Sequence, residues 1–160
     1  MALVAMWDIL SRGNCKALDI GSGSGMLAAW MSLANKNGRT IGIDHIPELV
    51  AASVQNVARA GHKHDLLDSG RLAFVVADGR EGYAPEAPYD VIHIGAGVSD
   101  ISKFIRQLKP NGGTLVAPIG PDHHQLFQVI TRSPDGTTTT KTITSCRYVP
   151  LTSAQRQVGT

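Results

Sequence analysis

The sequence predicts an α/β fold: a mostly parallel, twisted sheet with helices on both faces and an antiparallel hairpin at its C-terminal end. Short apolar runs alternate with helical segments through residue 119, and this alternation is typical of a parallel sheet. A turn rich in glycine follows the first apolar run. The last two strand-like segments are joined by SPDG, which is a turn sequence, so we expect a hairpin there.

Each element has its own local signal, in chain order. MALVAMWDIL has the composition of a helix, and the apolar run 16–20 after it ends at the glycines. Residues 24–35 are rich in Ala, Leu and Met, which favours a helix. TIGID, at 40–44, is β-branched and predicts a strand. Pro47 then starts a helix over 47–60, whose apolar residues follow the helical period.

The second half repeats the pattern and then changes it. Apolar runs at 72–77, 90–94 and 113–119 predict three more strands, with a helix over 101–108 that ends before Pro110. The two hairpin strands are expected at 125–132 and 138–149. We interpret HKH at 62–64 as part of a solvated loop.

The length and composition indicate one domain over residues 1–160. A hydrophobic content of 42% with 18% charged residues is typical of globular proteins, and no apolar run approaches the roughly 20 residues of a membrane span. The net charge of +2 comes from scattered Lys and Arg, which does not indicate nucleic-acid binding. Cys15 and Cys146 lack metal-ligand spacing, so we expect reduced thiols, no metal site and a cytoplasmic location.

The glycine turn, in the stretch ALDIGSGSG, lies where open parallel sheets bind ligands. Gly21, Gly23 and Gly25 follow G-x-G-x-G spacing, whereas the dinucleotide fingerprint is G-x-G-x-x-G. Asp19 precedes the turn, and its negative charge repels a phosphate but suits an ammonium or a sulfonium. No Lys follows the glycines, so the turn is not a P-loop.

Two further acids end the next two predicted strands. Asp44 lies at the position where a carboxylate accepts hydrogen bonds from ribose hydroxyls, and Asp78 is placed to accept from an adenine amino group. Taken alone, each acid has a structural explanation: Asp19 as a cap of the turn, Asp44 as a helix cap before Pro47, and Asp78 as an Asx turn. Together they favour a nucleoside with a positive charge, which S-adenosylmethionine fits better than NAD or ATP.

Motifs along nearly the whole chain, from Ala2 to Gln157, resemble the protein-L-isoaspartate O-methyltransferase family. They are ALDIGSGSG, IGIDHIPELV with the following SVQNV, SGRLAFVVADGREGY, APYDVIHIGAG, QLKPNGGTLVAPIG and YVPLT. The resemblance implies a Rossmann-like methyltransferase fold. It also implies an enzyme that uses S-adenosylmethionine to esterify the misplaced α-carboxyl of L-isoaspartyl residues in damaged proteins, which is a repair reaction. We expect a monomer with no nucleic-acid or membrane partner.

The resemblance also implies two sets of site residues. The cofactor contacts are Asp19, Gly21, Ser22, Gly23, Ser24, Gly25, Asp44, His45, Asp78, Gly79, Thr152 and Gln157. The substrate contacts are Gly95, Ala96, Val98, Tyr148, Val149, Pro150 and Leu151. Thr152 and Gln157 carry no signal of their own and come from the resemblance alone.

The chemistry of such a transfer needs no general base in the sequence. A carboxylate with a pKa near 3.9 is already ionised at neutral pH, so positioning the reactants and excluding water are enough. No catalytic residue is assigned on this basis. We interpret His93, His123 and His124 as structural, and His45 as a neighbour of the adenosine.

The chain departs from the family pattern in two places. Its first residue falls after the N-terminal segment in which the family carries a serine motif, so we expect weaker cofactor binding. Residues 95–100, GAGVSD, differ from the family's alanine-rich turn. Two alternatives stay open: a catalytically impaired form that binds only the cofactor, and an NAD-dependent oxidoreductase.

Overall fold

One seven-stranded sheet organises the protein in the computed structural model, which describes residues 1–157. The strands run in the order β3-β2-β1-β4-β5-β6-β7. They span Lys16–Ile20 (β1), Arg39–Asp44 (β2), Leu72–Val76 (β3), Val91–Ile94 (β4), Thr114–Ile119 (β5), Gln125–Arg132 (β6) and Thr138–Cys146 (β7). The first five strands are parallel, while β6 and β7 pair antiparallel. The predicted fold and its hairpin are confirmed.

Five α-helices accompany the sheet within the described residues. They span Ala2–Leu10 (α1), Met26–Ala34 (α2), Pro47–Arg59 (α3), Ser102–Gln107 (α4) and Ala154–Gln157 (α5). The first four were expected, each with bounds within two residues of the prediction. Pro47 stands at the first position of α3, where its missing N–H costs nothing.

Apolar residues pack on both faces of the sheet, because side chains alternate along each strand. On one face, β1 and β4 contribute Ala17 and Val91 to a cluster with Met6 of α1 and Met31 of α2. On the other face, Leu18 packs in a larger cluster that includes residues of α4. The predicted helices on both faces are therefore present.

Two predicted segments differ from the structure. Lys63–Asp68 forms a single π-helical turn rather than the irregular solvated loop that we expected. Its Leu66 is fully buried, and two exposed side-chain pairs accompany the turn: His62 Nδ1 lies 3.0 Å from an Asp65 carboxylate oxygen, and His64 Nδ1 lies 2.8 Å from an Asp68 oxygen. The last strand ends at Cys146 instead of 149. The backbone N–H of Tyr148 donates to the Gln125 side chain and not to a neighbouring strand.

The parallel strands bring five carboxyl ends to one edge of the sheet, and the antiparallel β6 starts at this same edge.

Both cysteines are free; Cys15 is buried and burial raises the pKa of its thiol. Among residues 1–157, no helix is long and apolar enough to cross a membrane. The same residues contain no group of three or more His, Cys, Asp or Glu placed to hold a metal ion.

Candidate cofactor site

The glycine turn between β1 and α2 adopts a backbone that favours glycine. Gly21, Gly23 and Gly25 have φ angles of 75°, 54° and 80°, all in the left-handed region. At Gly25 a β-carbon would lie 2.8 Å from Phe74 Cζ and 2.8 Å from Ser53 Cβ. Gly25 is thus required both by its backbone and by close packing against β3 and α3.

Hydrogen bonds attach this turn to the end of β2. The backbone N–H groups of Gly21 and Ser22 both donate to the Ile43 carbonyl, over 2.9 and 3.0 Å. The Ser53 hydroxyl of α3 donates to the Gly23 carbonyl over 2.8 Å. The turn is therefore held in one conformation by β2 and α3.

Asp44, the last residue of β2, is buried with 7% of its surface exposed. One carboxylate oxygen accepts from the backbone N–H of Gly23 over 3.2 Å, and the other accepts from that of Ile46 over 3.1 Å. These two bonds orient the carboxylate and leave a further lone pair on each oxygen. The bond from Ile46 closes a turn just before α3 and is not the helix cap that one alternative predicted. Asp44 can still accept from a ligand.

A cavity of about 210 Å³ opens at this edge of the sheet. It collects residues from five places in the chain that the sequence only suggested were neighbours. Its lining comprises Gly21, Gly23, Ile43, Asp44, His45, Leu49, Gly79, Gly95, Ala96, Val149, Pro150, Leu151 and Thr152. Eleven of these thirteen were predicted site residues; Ile43 and Leu49 were not, because their apolar patterns are explained equally well by the core.

Small residues let the strands approach each other beneath the cavity. A β-carbon at Gly79 would lie 2.7 Å from Ile20 Cγ2, and one at Gly95 would lie 3.1 Å from the Gly21 carbonyl oxygen. The cavity volume is below the roughly 300 Å³ at which ligand pockets usually begin. It adjoins a second cavity of about 630 Å³, and the two share Pro150, Leu151 and Thr152.

Two residues that sequence reasoning missed hold the 149–152 segment against the site. Gly97 donates its N–H to the Val149 carbonyl and accepts from the Leu151 N–H, both over 2.8 Å. The Gln125 side chain, with 1% exposure of the residue, accepts from the Tyr148 N–H over 2.7 Å and donates to the Tyr148 carbonyl over 3.2 Å. No local pattern could have indicated Gln125, because its partner lies 23 residues further along the chain.

Several predicted residues lie outside the smaller cavity. Ser22, Ser24 and Gly25 belong to the turn but do not line it, and Asp19 is buried beneath it. Asp78 is engaged by Arg80, whose Nη2 lies 2.6 Å from one carboxylate oxygen. The hydrogen bond from Arg80 lowers the pKa of Asp78 below its ordinary value.

The remaining predicted residues line the larger cavity or lie outside both cavities. Val98 lines the larger cavity, as does His123, while Tyr148 lines neither and stacks on Phe127 with ring centroids 6.4 Å apart. The side chain of Gln157 lies outside the described residues. The larger cavity also carries charged residues of both signs: Arg80, Asp100, Lys103, Asp122 and Arg156.

The sequence of this chain is similar to known proteins of one family. The family model for protein-L-isoaspartate(D-aspartate) O-methyltransferase matches residues 1–156. A protein-L-isoaspartate O-methyltransferase from Triticum aestivum is 48% identical over 153 residues, which cover 94% of this chain and 65% of the relative. Protein-L-isoaspartate O-methyltransferase 1 from Arabidopsis thaliana is 48% identical over 149 residues, covering 92% of this chain and 64% of the relative. The chain therefore spans slightly less than two thirds of these relatives.

A solved structure is similar over most of the fold. It is a protein-L-isoaspartate O-methyltransferase from Plasmodium falciparum in complex with S-adenosyl-L-homocysteine. The TM-score is 0.80 at 27% identity, and the match covers 94% of this chain and 71% of that one.

Proposed function

The chain belongs to the protein-L-isoaspartate(D-aspartate) O-methyltransferase family, and we propose that it methylates the free α-carboxyl of L-isoaspartyl residues in proteins and peptides. We propose S-adenosylmethionine as the methyl donor. The observation that carries the proposal is the cavity in which the glycine turn, Asp44, His45, Gly79 and Thr152 meet. The S-adenosyl-L-homocysteine bound to the Plasmodium relative supports the choice of cofactor.

The residues at the smaller cavity fit a nucleoside. The Asp44 carboxylate retains lone pairs for two ribose hydroxyls, and its orientation is already fixed by backbone amides. Ile43 and Leu49 supply apolar wall for a base. Gly21 and Gly23 allow close backbone approach, and among residues 1–157 no Lys or Arg lines the cavity to neutralise a phosphate. This set favours an S-adenosyl ligand over NAD.

The larger cavity suits the substrate in this proposal. It begins at Pro150–Thr152, where the two cavities meet. The basic side chains in its wall suit the free α-carboxylate of an isoaspartyl residue, and its charges of both signs suit a peptide. S-adenosylmethionine supplies, when bound, an electrophilic methyl group on a sulfonium. The protein's part is to hold the attacking carboxylate in line and to exclude water, since that carboxylate is ionised at neutral pH.

The test is methyl transfer from radiolabelled S-adenosylmethionine to two peptides that differ only in an isoaspartyl or a normal aspartyl linkage. We expect label in the isoaspartyl peptide alone, as a base-labile ester. Calorimetric titration with S-adenosyl-L-homocysteine accompanies it. Binding without transfer would favour the cofactor-binding alternative, and binding of NAD without S-adenosyl-L-homocysteine would favour the oxidoreductase.

We also propose a monomer in the cytosol. Two free cysteines fit a reducing compartment. Size-exclusion chromatography with light scattering, and fractionation of cells that express the chain, test the two parts separately.

A further inference from the structure

Asp19 and His93 form a buried polar pair in the middle of the sheet. They are register partners on the parallel strands β1 and β4, so their side chains leave the sheet on the same face. Only 1% of Asp19 and 4% of His93 is exposed. His93 Nδ1 lies 2.8 Å from Asp19 Oδ1, and because a carboxylate only accepts, the proton belongs to Nδ1.

The surroundings of the pair are otherwise apolar. Ala17 and Val91, two residues earlier on the same strands, pack in the cluster beneath α1 and α2. Val116 is the register partner of His93 on β5 and belongs to the same cluster. Burying a carboxylate and an imidazole here costs free energy that two apolar side chains would not. Packing alone therefore does not explain the pair.

The second oxygen of Asp19 points to the explanation. Asp19 Oδ2 and Ser22 Oγ are both buried, and neither has a hydrogen-bond partner among residues 1–157. Both residues neighbour Gly42: it is the register partner of Asp19 on β2, and a β-carbon on it would lie 3.1 Å from Ser22 Cβ. The two unpartnered oxygens therefore belong to residues on either side of Ile20 and Gly21, and Gly21 lines the smaller cavity.

We propose that His93 is a positioning residue for the cofactor. By donating to Oδ1 it holds the Asp19 carboxylate in one orientation, with Oδ2 available to the α-ammonium of the amino-acid end of an S-adenosyl ligand, directly or through one water. This inference rests on the proposed function. It gives His93 a role in ligand binding that the sequence analysis, which interpreted it as structural, did not foresee.

The test compares two ligands on variants of His93. S-adenosyl-L-homocysteine carries the α-ammonium, while 5′-methylthioadenosine keeps the adenosine and lacks the amino-acid end. His93→Leu removes the donor, and His93→Asn places an amide N–H near the Nδ1 position. We expect His93→Leu to weaken binding of S-adenosyl-L-homocysteine about tenfold while binding of 5′-methylthioadenosine changes by less than about twofold. His93→Asn should restore most of the lost affinity.

Controls separate positioning from general damage to the fold. Val91→Ala truncates a buried neighbour on the same strand and should leave the ratio of the two dissociation constants unchanged. If His93→Leu does not fold, Asp19→Asn keeps the shape of the carboxylate, removes its charge and should produce the same selective loss.

Three results would overturn the inference. One is unchanged S-adenosyl-L-homocysteine affinity in His93→Leu, and another is an equal loss for both ligands, which a purely structural role predicts. The third is a wild-type chain that binds neither ligand, since then the proposed function fails and takes this inference with it.

Discussion

The carboxylate of Asp44 accepts a hydrogen bond from the backbone N–H of Gly23 over 3.2 Å, joining the end of β2 to the turn after β1. Its other oxygen accepts from the Ile46 N–H at the entry to α3. One side chain therefore joins a strand end, the glycine turn and the entry to a helix. We expect a change at this residue to affect both ligand binding and stability.

Replacing Asp44 by Ala should weaken binding of S-adenosyl-L-homocysteine by at least about tenfold, because both the ribose acceptor and the support of the turn are lost. It should also destabilise the protein by about 1 kcal/mol, because the backbone N–H groups of Gly23 and Ile46 lose their acceptor. Calorimetric titration and urea unfolding measure the two effects. Glu48→Gln, an exposed acid in the first turn of α3, is the control and should change neither by much. Unchanged affinity in Asp44→Ala would contradict the site.

Replacing Gly25 by Ala should cost about 3 kcal/mol of unfolding free energy. A left-handed backbone costs an L residue about 1–2 kcal/mol, and the new β-carbon would also clash with Phe74 and Ser53. Gly21→Ala is the matched control, since its φ is also positive but nothing lies within 4 Å of the added atom. We expect it to lose only about 1–2 kcal/mol. Equal losses in urea unfolding would show that the clash is relieved by movement of the neighbours.

Replacing Asn35 by Ala should destabilise the protein by about 1–3 kcal/mol. The fully buried Asn35 amide donates to the Cys15 carbonyl over 2.7 Å and accepts from the Cys15 N–H over 2.9 Å. Its removal leaves the Cys15 N–H without an acceptor just before β1, whereas the Cys15 carbonyl keeps its bond from the Arg39 N–H over 2.9 Å. Asn37→Ala, two residues on and exposed, should stay within about 0.5 kcal/mol of the wild type. Urea unfolding measures the free energy of unfolding of both variants. Similar losses in the two would contradict the structural role of the Asn35–Cys15 hydrogen bonds.

The Arg39–Glu86 ion pair should make the free energy of unfolding depend on pH. Arg39 donates to both Glu86 oxygens, over 2.7 and 2.6 Å, and this lowers the pKa of Glu86 below its ordinary value of 4.5. A carboxyl with a lowered folded-state pKa stabilises the fold above its unfolded-state pKa, and the benefit is lost as the pH falls through the folded-state pKa. Arg39→Gln should thus cost about 1 kcal/mol at pH 7, since the pair is partly exposed, and markedly less at pH 3.

Unfolding by urea across this pH range measures that difference. Lys63→Gln serves as the control, because Lys63 lies 3.4 Å from Asp68 in an exposed pair and should contribute little at any pH. A destabilisation by Arg39→Gln that stays constant between pH 7 and pH 3 would contradict the role of the ion pair.

Most of the secondary structure could be predicted because its signals are local. Alternating apolar runs, Pro47 at a helix start and SPDG at the hairpin each act within a few residues. The π-helical turn at 63–68 was missed because its composition is that of a loop, whereas Leu66 packs fully buried against α2, α3 and β3, which is a tertiary contact. The end of β7 was predicted too late in the chain. The Gln125 side chain hydrogen-bonds the backbone of Tyr148, which therefore does not continue the strand.

The candidate site, like the secondary structure, could be predicted only in part from the sequence. Glycine spacing and the acid at 44 indicated the cavity, and the structure brings Gly21, Gly23 and Asp44 into its wall. Spacing could not show that Asp78 would be engaged by Arg80. All the predicted ligand contacts remain predictions; those that do not line either cavity are Asp19, Ser22, Ser24, Gly25, Asp78 and Tyr148.

The sequence by itself determined the order of strands and helices, the glycine turn and the family, because periodicity, turn chemistry and motif spacing are written along the chain. The tertiary structure decided which of those residues line the smaller cavity. Strand register placed Asp19 beside His93 and opposite Gly42, and the antiparallel β6 carried Gln125 to the edge where it holds Tyr148. Such contacts join residues far apart in the chain, so no local pattern contains them.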